Sequence, residues 1–233
     1  MNIKAISNQQ FTANNNDNNK GLRAGVTATT VLSVAAVLAA IAKKQGFSLS
    51  PSKIVKTSPK NWAIFKIKGK KQLDLRGPEV VYLAGGSVAG GLLGGVLFDR
   101  KENFPAKVRE AVNQVVGNIG MPLVSVLLAA KVFKNSRDIV KALAAAGALI
   151  TGIFAGNEVA NFMNEKIYRV QVHRDIKGTD FAPHVDDVSL AATLMGKEGS
   201  LFKGVVSKLI PFAICIPGVE IGVTQKGRYD KKV

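Results

Sequence analysis

Glu158 stands at the end of a long uncharged run, flanked by Asn157 and Asn161, which lie one helical turn apart. A carboxylate at membrane depth is a candidate proton or cation site, because a charge there must be paired, hydrated or used. If the hydrocarbon layer ends near Gly156, the three residues instead meet headgroups and water, which is the simpler expectation. Glu220, in the segment IPGVEIG, poses the same pair of alternatives. The stretch 173–187 (HRDIKGTDFAPHVDD) gathers His173 and His184 with Asp175, Asp180, Asp186 and Asp187. Imidazole and carboxylate ligands together suit a divalent cation, but these spacings match no metal motif. A solvated loop is expected here, with Asp186 or Asp187 capping a helix over 188–195, and no metal or cofactor. Cys215 lies between Pro211 and Pro217 in an apolar run and is expected to pack. No Ser/His/Asp or Cys/His arrangement stands out, so no catalytic residue is assigned and an enzyme is not expected.

A second group of residues carries charge rather than chemistry. Of the 233 residues 32 are Lys or Arg and 16 are Asp or Glu, giving a formal net charge of +16. Ten of the basic residues fall in the 37 positions 43–79. Within that loop, NWAIFKIKGKKQLDLRG reads as two short strands, 62–68 and 72–75, about a turn at Gly69–Lys71. Lys66, Lys68, Lys70, Lys71 and Arg76 would then form a basic hairpin suited to anionic lipid headgroups or an acidic partner. The alternative is that these lysines serve only to fix orientation. Aromatic residues make up 6% of the chain, too few for base stacking on this scale, so nucleic acid is not expected as a partner.

The elements that must hold these residues are apolar runs. Residues 24–42 and 80–98 are each nineteen residues without a charge. A helix of that length rises about 28 Å, close to the thickness of a bilayer's hydrocarbon core. Weaker runs follow at 115–133, with Pro122 inside it, and at 142–163. A fifth, 204–223, is interrupted by Pro211, Pro217 and Glu220. The expected fold is therefore an all-α, polytopic membrane protein of four to five transmembrane helices, with the short β-hairpin outside the bilayer. An Asn-rich disordered tail (1–23) is expected to precede the bundle. An extramembrane segment (164–203), containing a short strand near 166–172, separates the fourth and fifth runs, and a basic tail (224–233) closes the chain. The first run could be a cleaved signal peptide, since Ala40-Ile41-Ala42 resembles a cleavage site. Its length and the two lysines after it favour an uncleaved signal-anchor helix.

Five spans place eighteen of the Lys and Arg residues on the side of loop 43–79 and fourteen opposite. The positive-inside rule then puts the amino terminus outside and the carboxyl terminus in the cytoplasm, in the cell (inner) membrane. Four spans, with the last segment on the surface, would leave the basic tail outside.

Packing can be read from small residues. Gly86, Gly90 and Gly94 recur every fourth position, and Ala148, Gly152 and Gly156 repeat the device in the fourth run. Such ridges let helix backbones approach closely where hydrophobicity cannot drive association. They are expected to pair helices with each other or across a homo-oligomer. The AGGSVAGG stretch is no phosphate loop, because no GK[ST] follows and the glycines continue to Gly95. No small-molecule substrate is indicated. The function expected is that of a membrane scaffold or interaction protein, with a small transporter or channel using Glu158 or Glu220 as the alternative.

Overall fold

A computed structural model describes residues 20–56, 73, 75, 78–168, 173–184 and 211–226. These residues are helical with intervening turns, and no strand occurs among them. Of the expected hairpin at 62–75 only residues 73 and 75 are described; Lys66, Lys68, Lys70, Lys71 and Arg76 lie outside the described residues, as does the helix expected after Asp187.

Helix α1 spans Lys20–Lys44, α2 is a single short piece at Pro51–Lys56, and α3 spans Pro78–Phe98. A 3-10 turn at Lys101–Asn103 leads into α4 (Phe104–Val112), a π-helical segment (Asn113–Gly120) and α5 (Met121–Val132). Helix α6 runs Asp138–Tyr168. A strap, residues 173–184, ends in a 3-10 turn at Gly178–His184. A shorter apolar helix, α7, covers Pro211–Val223.

Four helices are long and apolar enough to cross a membrane: α1, α3, the continuous Lys101–Val132 unit and α6. Their surface is inverted relative to a protein folded in water. Leu32 and Leu143 are 68% and 67% exposed, whereas Glu110, Lys107 and Asn164 are wholly buried. Apolar side chains facing outward around a polar interior fit an integral membrane protein. The third unit starts at residue 101 and not near 115, because its polar end is folded into the helix. The bulge at 113–120 precedes Pro122, whose ring clashes with the carbonyl four residues back. Widening to π geometry there accommodates the missing donor. Helix α6 continues through Tyr168, so residues 166–168 form a helix end and not the start of a strand.

Helices α1 and α3 pack antiparallel through the first glycine ridge. A methyl group placed on Gly90 would lie 2.7 Å from Ser33 Cβ, 2.8 Å from Thr30 Cα and 2.9 Å from the Thr29 carbonyl oxygen. Equivalent methyls on Gly86 and Gly94 would meet Val37 and Val26 of α1. The Ser33 hydroxyl donates to the Gly86 carbonyl at 2.7 Å, adding an interhelical hydrogen bond at the same seam. Helix α7 runs parallel to α3, with Gly91 against Gly218 and the Gly218 amide donating to Ser87 Oγ at 3.0 Å. The second ridge faces neither α1 nor α3. Gly152 abuts Pro122, and Gly156 abuts Gly117 in the π segment. Ala148 packs at the edge of the Val126–Leu149–Ile153 cluster.

One expectation about topology is corrected. Leu22, Val26 and Val223 share a buried cluster, and the Lys226 amide donates to Asn103 Oδ1 at 3.1 Å. Residues 20 and 226 therefore leave the bundle at the same end, together with Lys101. A five-span arrangement would have sent them to opposite faces. The reason lies in α7, which enters beside Leu83 and Val34 and runs back along α3.

Candidate functional site: an ion cluster buried at one end of the bundle

The polar end of the third unit presents Glu110, Gln114 and Asn118 at four-residue spacing, so the three stack along one face. Gln114 Nε2 donates to Glu110 Oε1 at 2.8 Å, and Asn118 Nδ2 donates to Gln114 Oε1 at 2.9 Å. Helix α6 presents a matching amide face of Asn157, Asn161 and Asn164. The strap enters between them and carries Arg174 and Asp180, each 1% exposed.

Arg174 is gripped at both backbone and side chain. Asn157 and Asn161 donate to its carbonyl at 2.9 and 3.2 Å, and its amide donates to Asn161 Oδ1 at 3.1 Å. The guanidinium forks in two directions. Nε donates to both Glu110 oxygens at 3.2 and 3.1 Å, and Nη2 reaches Glu110 Oε1 at 2.9 Å. Nη1 and Nη2 donate to the two Asp180 oxygens, each at 2.7 Å. Asp180 also accepts from Asn118 Nδ2 and from the Lys177 amide, both at 2.7 Å. Bidentate pairing of this type is strong and geometrically specific, and it ties three separate segments at one point.

Electrostatics agrees with the geometry. Burial works against the charged form of Asp180, but hydrogen bonds and charge from Arg174, with the Lys177 and Asn118 amides, hold its carboxyl below the usual carboxylate range. Burial likewise opposes the Arg174 charge, and its hydrogen bonds to Asp180 with the charge of Glu110 outweigh it and raise the guanidinium further. A carboxylate held ionised by a permanent cation is a weak base. The cluster fixes the strap against the third unit and α6.

The same chemistry sets an acid limit. The folded-state pKa of Asp180 lies below its unfolded value of about 3.9. Its contribution to stability is thus complete above that value and is lost as pH falls through the folded pKa. A pH titration of melting temperature in detergent is expected to be flat through neutrality and to drop below about pH 4. In Asp180→Asn that drop should shrink; an identical acid profile would count against the assignment.

A second buried pair closes the neighbouring corner. Lys107 Nζ donates to Asp99 Oδ2 at 2.6 Å and to the carbonyls of Gly222 and Thr224, capping the carboxyl end of α7. A cation at a helix carboxyl terminus is favoured by its unpaired carbonyls and dipole.

The residues singled out from sequence fare unequally. Asn157 and Asn161 belong to the cluster, but the Glu158 between them is exposed and turned away from it. Glu220 sits outside it, paired through Oε2 with Lys177 Nζ at 3.1 Å. Asp180, expected in a solvated loop, is buried, because the strap folds back onto the helices. His173 and Asp175 remain exposed at 3.5 Å from each other. Among the described residues no three His, Cys, Asp or Glu side chains are placed to hold a metal. Glu110, Gln114, Asn118 and Arg174 were missed. The Glu110–Gln114–Asn118 stripe was readable as a polar helix face; Arg174, 64 positions away from Glu110, had no local signal. Comparison of the chain with protein-family models, with curated proteins and with solved structures gave no match.

Proposed function

We propose that this chain is a non-enzymatic scaffold or interaction protein of the cell (inner) membrane, able to self-associate through its lipid-facing helices. The observation that carries the reading is where the buried charges go. Glu110, Asp180 and Arg174 are committed to one another, and Lys107 and Asp99 to the end of α7. Each pair ties segments of the bundle together, as a rigid platform requires. Basic residues of the 43–79 segment supply the face toward anionic lipid or an acidic partner. That segment holds ten of the Lys and Arg residues, more than any other loop, and on that ground we take it as cytoplasmic, which puts the described ends at Lys20 and Lys226 on the opposite side.

The competing transport reading needed Glu158 and Glu220 beside a pathway. Their positions, one exposed and one paired with Lys177, do not support it. Reconstituted proteoliposomes distinguish the two. Vesicles carrying the protein are expected to leak protons and potassium no faster than empty ones, while chemical crosslinking traps oligomers. A protein-dependent flux that Glu158→Gln or Glu220→Gln abolishes would overturn the scaffold reading.

A further inference from the structure

The surface between α1 and α7 carries an open apolar groove of about 320 Å³. Thr27 and Val31 of α1 form one wall, and Phe212, Ile216 and Val219 of α7 form the other. It opens outward, since Val31 and Phe212 are 47% and 60% exposed. Towards the end of the bundle shared by residues 20 and 226, the groove meets charge. Arg23 and Lys20 are exposed and lie four and seven residues before Thr27, so both continue the same face of α1. Helical rise places them about 6 Å and about 10 Å beyond the groove. The first turn of α1 carries no acid. Glu220, the one carboxylate lining the groove among the described residues, is paired with Lys177 at 3.1 Å.

We propose that this groove binds one anionic phospholipid, with an acyl chain between α1 and α7 and its phosphate against Arg23 and Lys20. The inference rests on the membrane-spanning reading of α1, which supplies the depth at which tail and phosphate would lie. Apolar walls topped by two cations that make no ion pair among the described residues match a phospholipid of net negative charge. A zwitterionic lipid would bring its own cation to the same place. Residues 66–76 belong in sequence to the segment that joins the other ends of α1 and α3.

The test compares phosphatidylglycerol with phosphatidylcholine on the full chain purified in detergent, counting retained lipids by native mass spectrometry. Retention of one phosphatidylglycerol, with phosphatidylcholine lost, is expected. Each basic group near a membrane surface contributes about a factor of five, so Arg23→Gln with Lys20→Gln should weaken retention about thirtyfold. Arg23→Lys should preserve most of it, and Ile216→Trp, which fills the groove, should abolish it. Neutralising Lys66, Lys68, Lys70 and Lys71 together should leave it unchanged. Equal retention of the two lipids would overturn the site, as would loss of retention only in the 66–71 variant. A second protein copy seated on the groove, seen as a dimer that Ile216→Trp dissociates, would overturn it too. A chain that stays soluble without detergent would instead defeat the membrane reading beneath it.

Discussion

Arg174→Leu is expected to destabilise the bundle by about 3–5 kcal/mol, the range for removing one partner of a buried ion pair. The loss follows from what is left behind. Glu110 and Asp180 would remain at 0% side-chain exposure, two carboxylates facing each other without their shared cation. Reversible unfolding in mixed micelles measures this directly. The sharper result is a change of sign. In the parent, Glu110→Gln weakens the fork and costs stability. In the Arg174→Leu background the same substitution removes an uncompensated charge and should restore part of what was lost. A cycle in which the two substitutions simply add would contradict the arrangement. So would an Arg174→Leu protein within about 0.5 kcal/mol of the parent, the ordinary range for a surface change.

Gly90→Leu is the second large effect. The added side chain has no room, because backbone as well as side-chain atoms of Thr29, Thr30 and Ser33 lie within 3 Å of the first new carbon. Helix α1 would have to move as a body, breaking the Ser33–Gly86 hydrogen bond. The expected cost is about 3 kcal/mol or more, the upper end for overpacking. Gly85, one face away, has nothing within 4 Å of an added Cβ. Gly85→Leu should therefore leave the unfolding midpoint nearly unchanged. If the two variants melt alike, the α1–α3 seam is not the contact described.

The helices were legible in the sequence because a bilayer demands length and low charge, and both are written in the chain. The runs at 24–42 and 80–98 became Lys20–Lys44 and Pro78–Phe98, the first extended at both ends and the second only by Pro78 and Glu79 at its start. Ridge spacing was legible too, yet the partner of a ridge is a tertiary fact. Gly86, Gly90 and Gly94 face α1, while Gly152 faces Pro122 at the start of α5 and Gly156 faces Gly117 in the π segment. The candidate site was half legible. Asn157 and Asn161 announced a polar face, and Glu158 drew attention only because it is charged. The buried charges that matter lie where an apolar run gives way to polar residues, at Glu110, and in a strap dismissed as solvated, at Arg174. Helical spacing could order the stripe Glu110, Gln114 and Asn118. It could not bring a cation back from 64 residues further along the chain.

Cysteine accessibility in sealed vesicles tests the central claim, a membrane bundle whose described chain begins and ends on one side. In a Cys215→Ser background, single cysteines replace Lys20, Lys43, Lys101, Ser136 and Lys226 in turn. An impermeant maleimide should label positions 20, 101 and 226 from one side, and positions 43 and 136 only from the other. Labelling of 226 together with 43 would contradict the path of α7, and labelling of all five from a single side would contradict the membrane-spanning bundle.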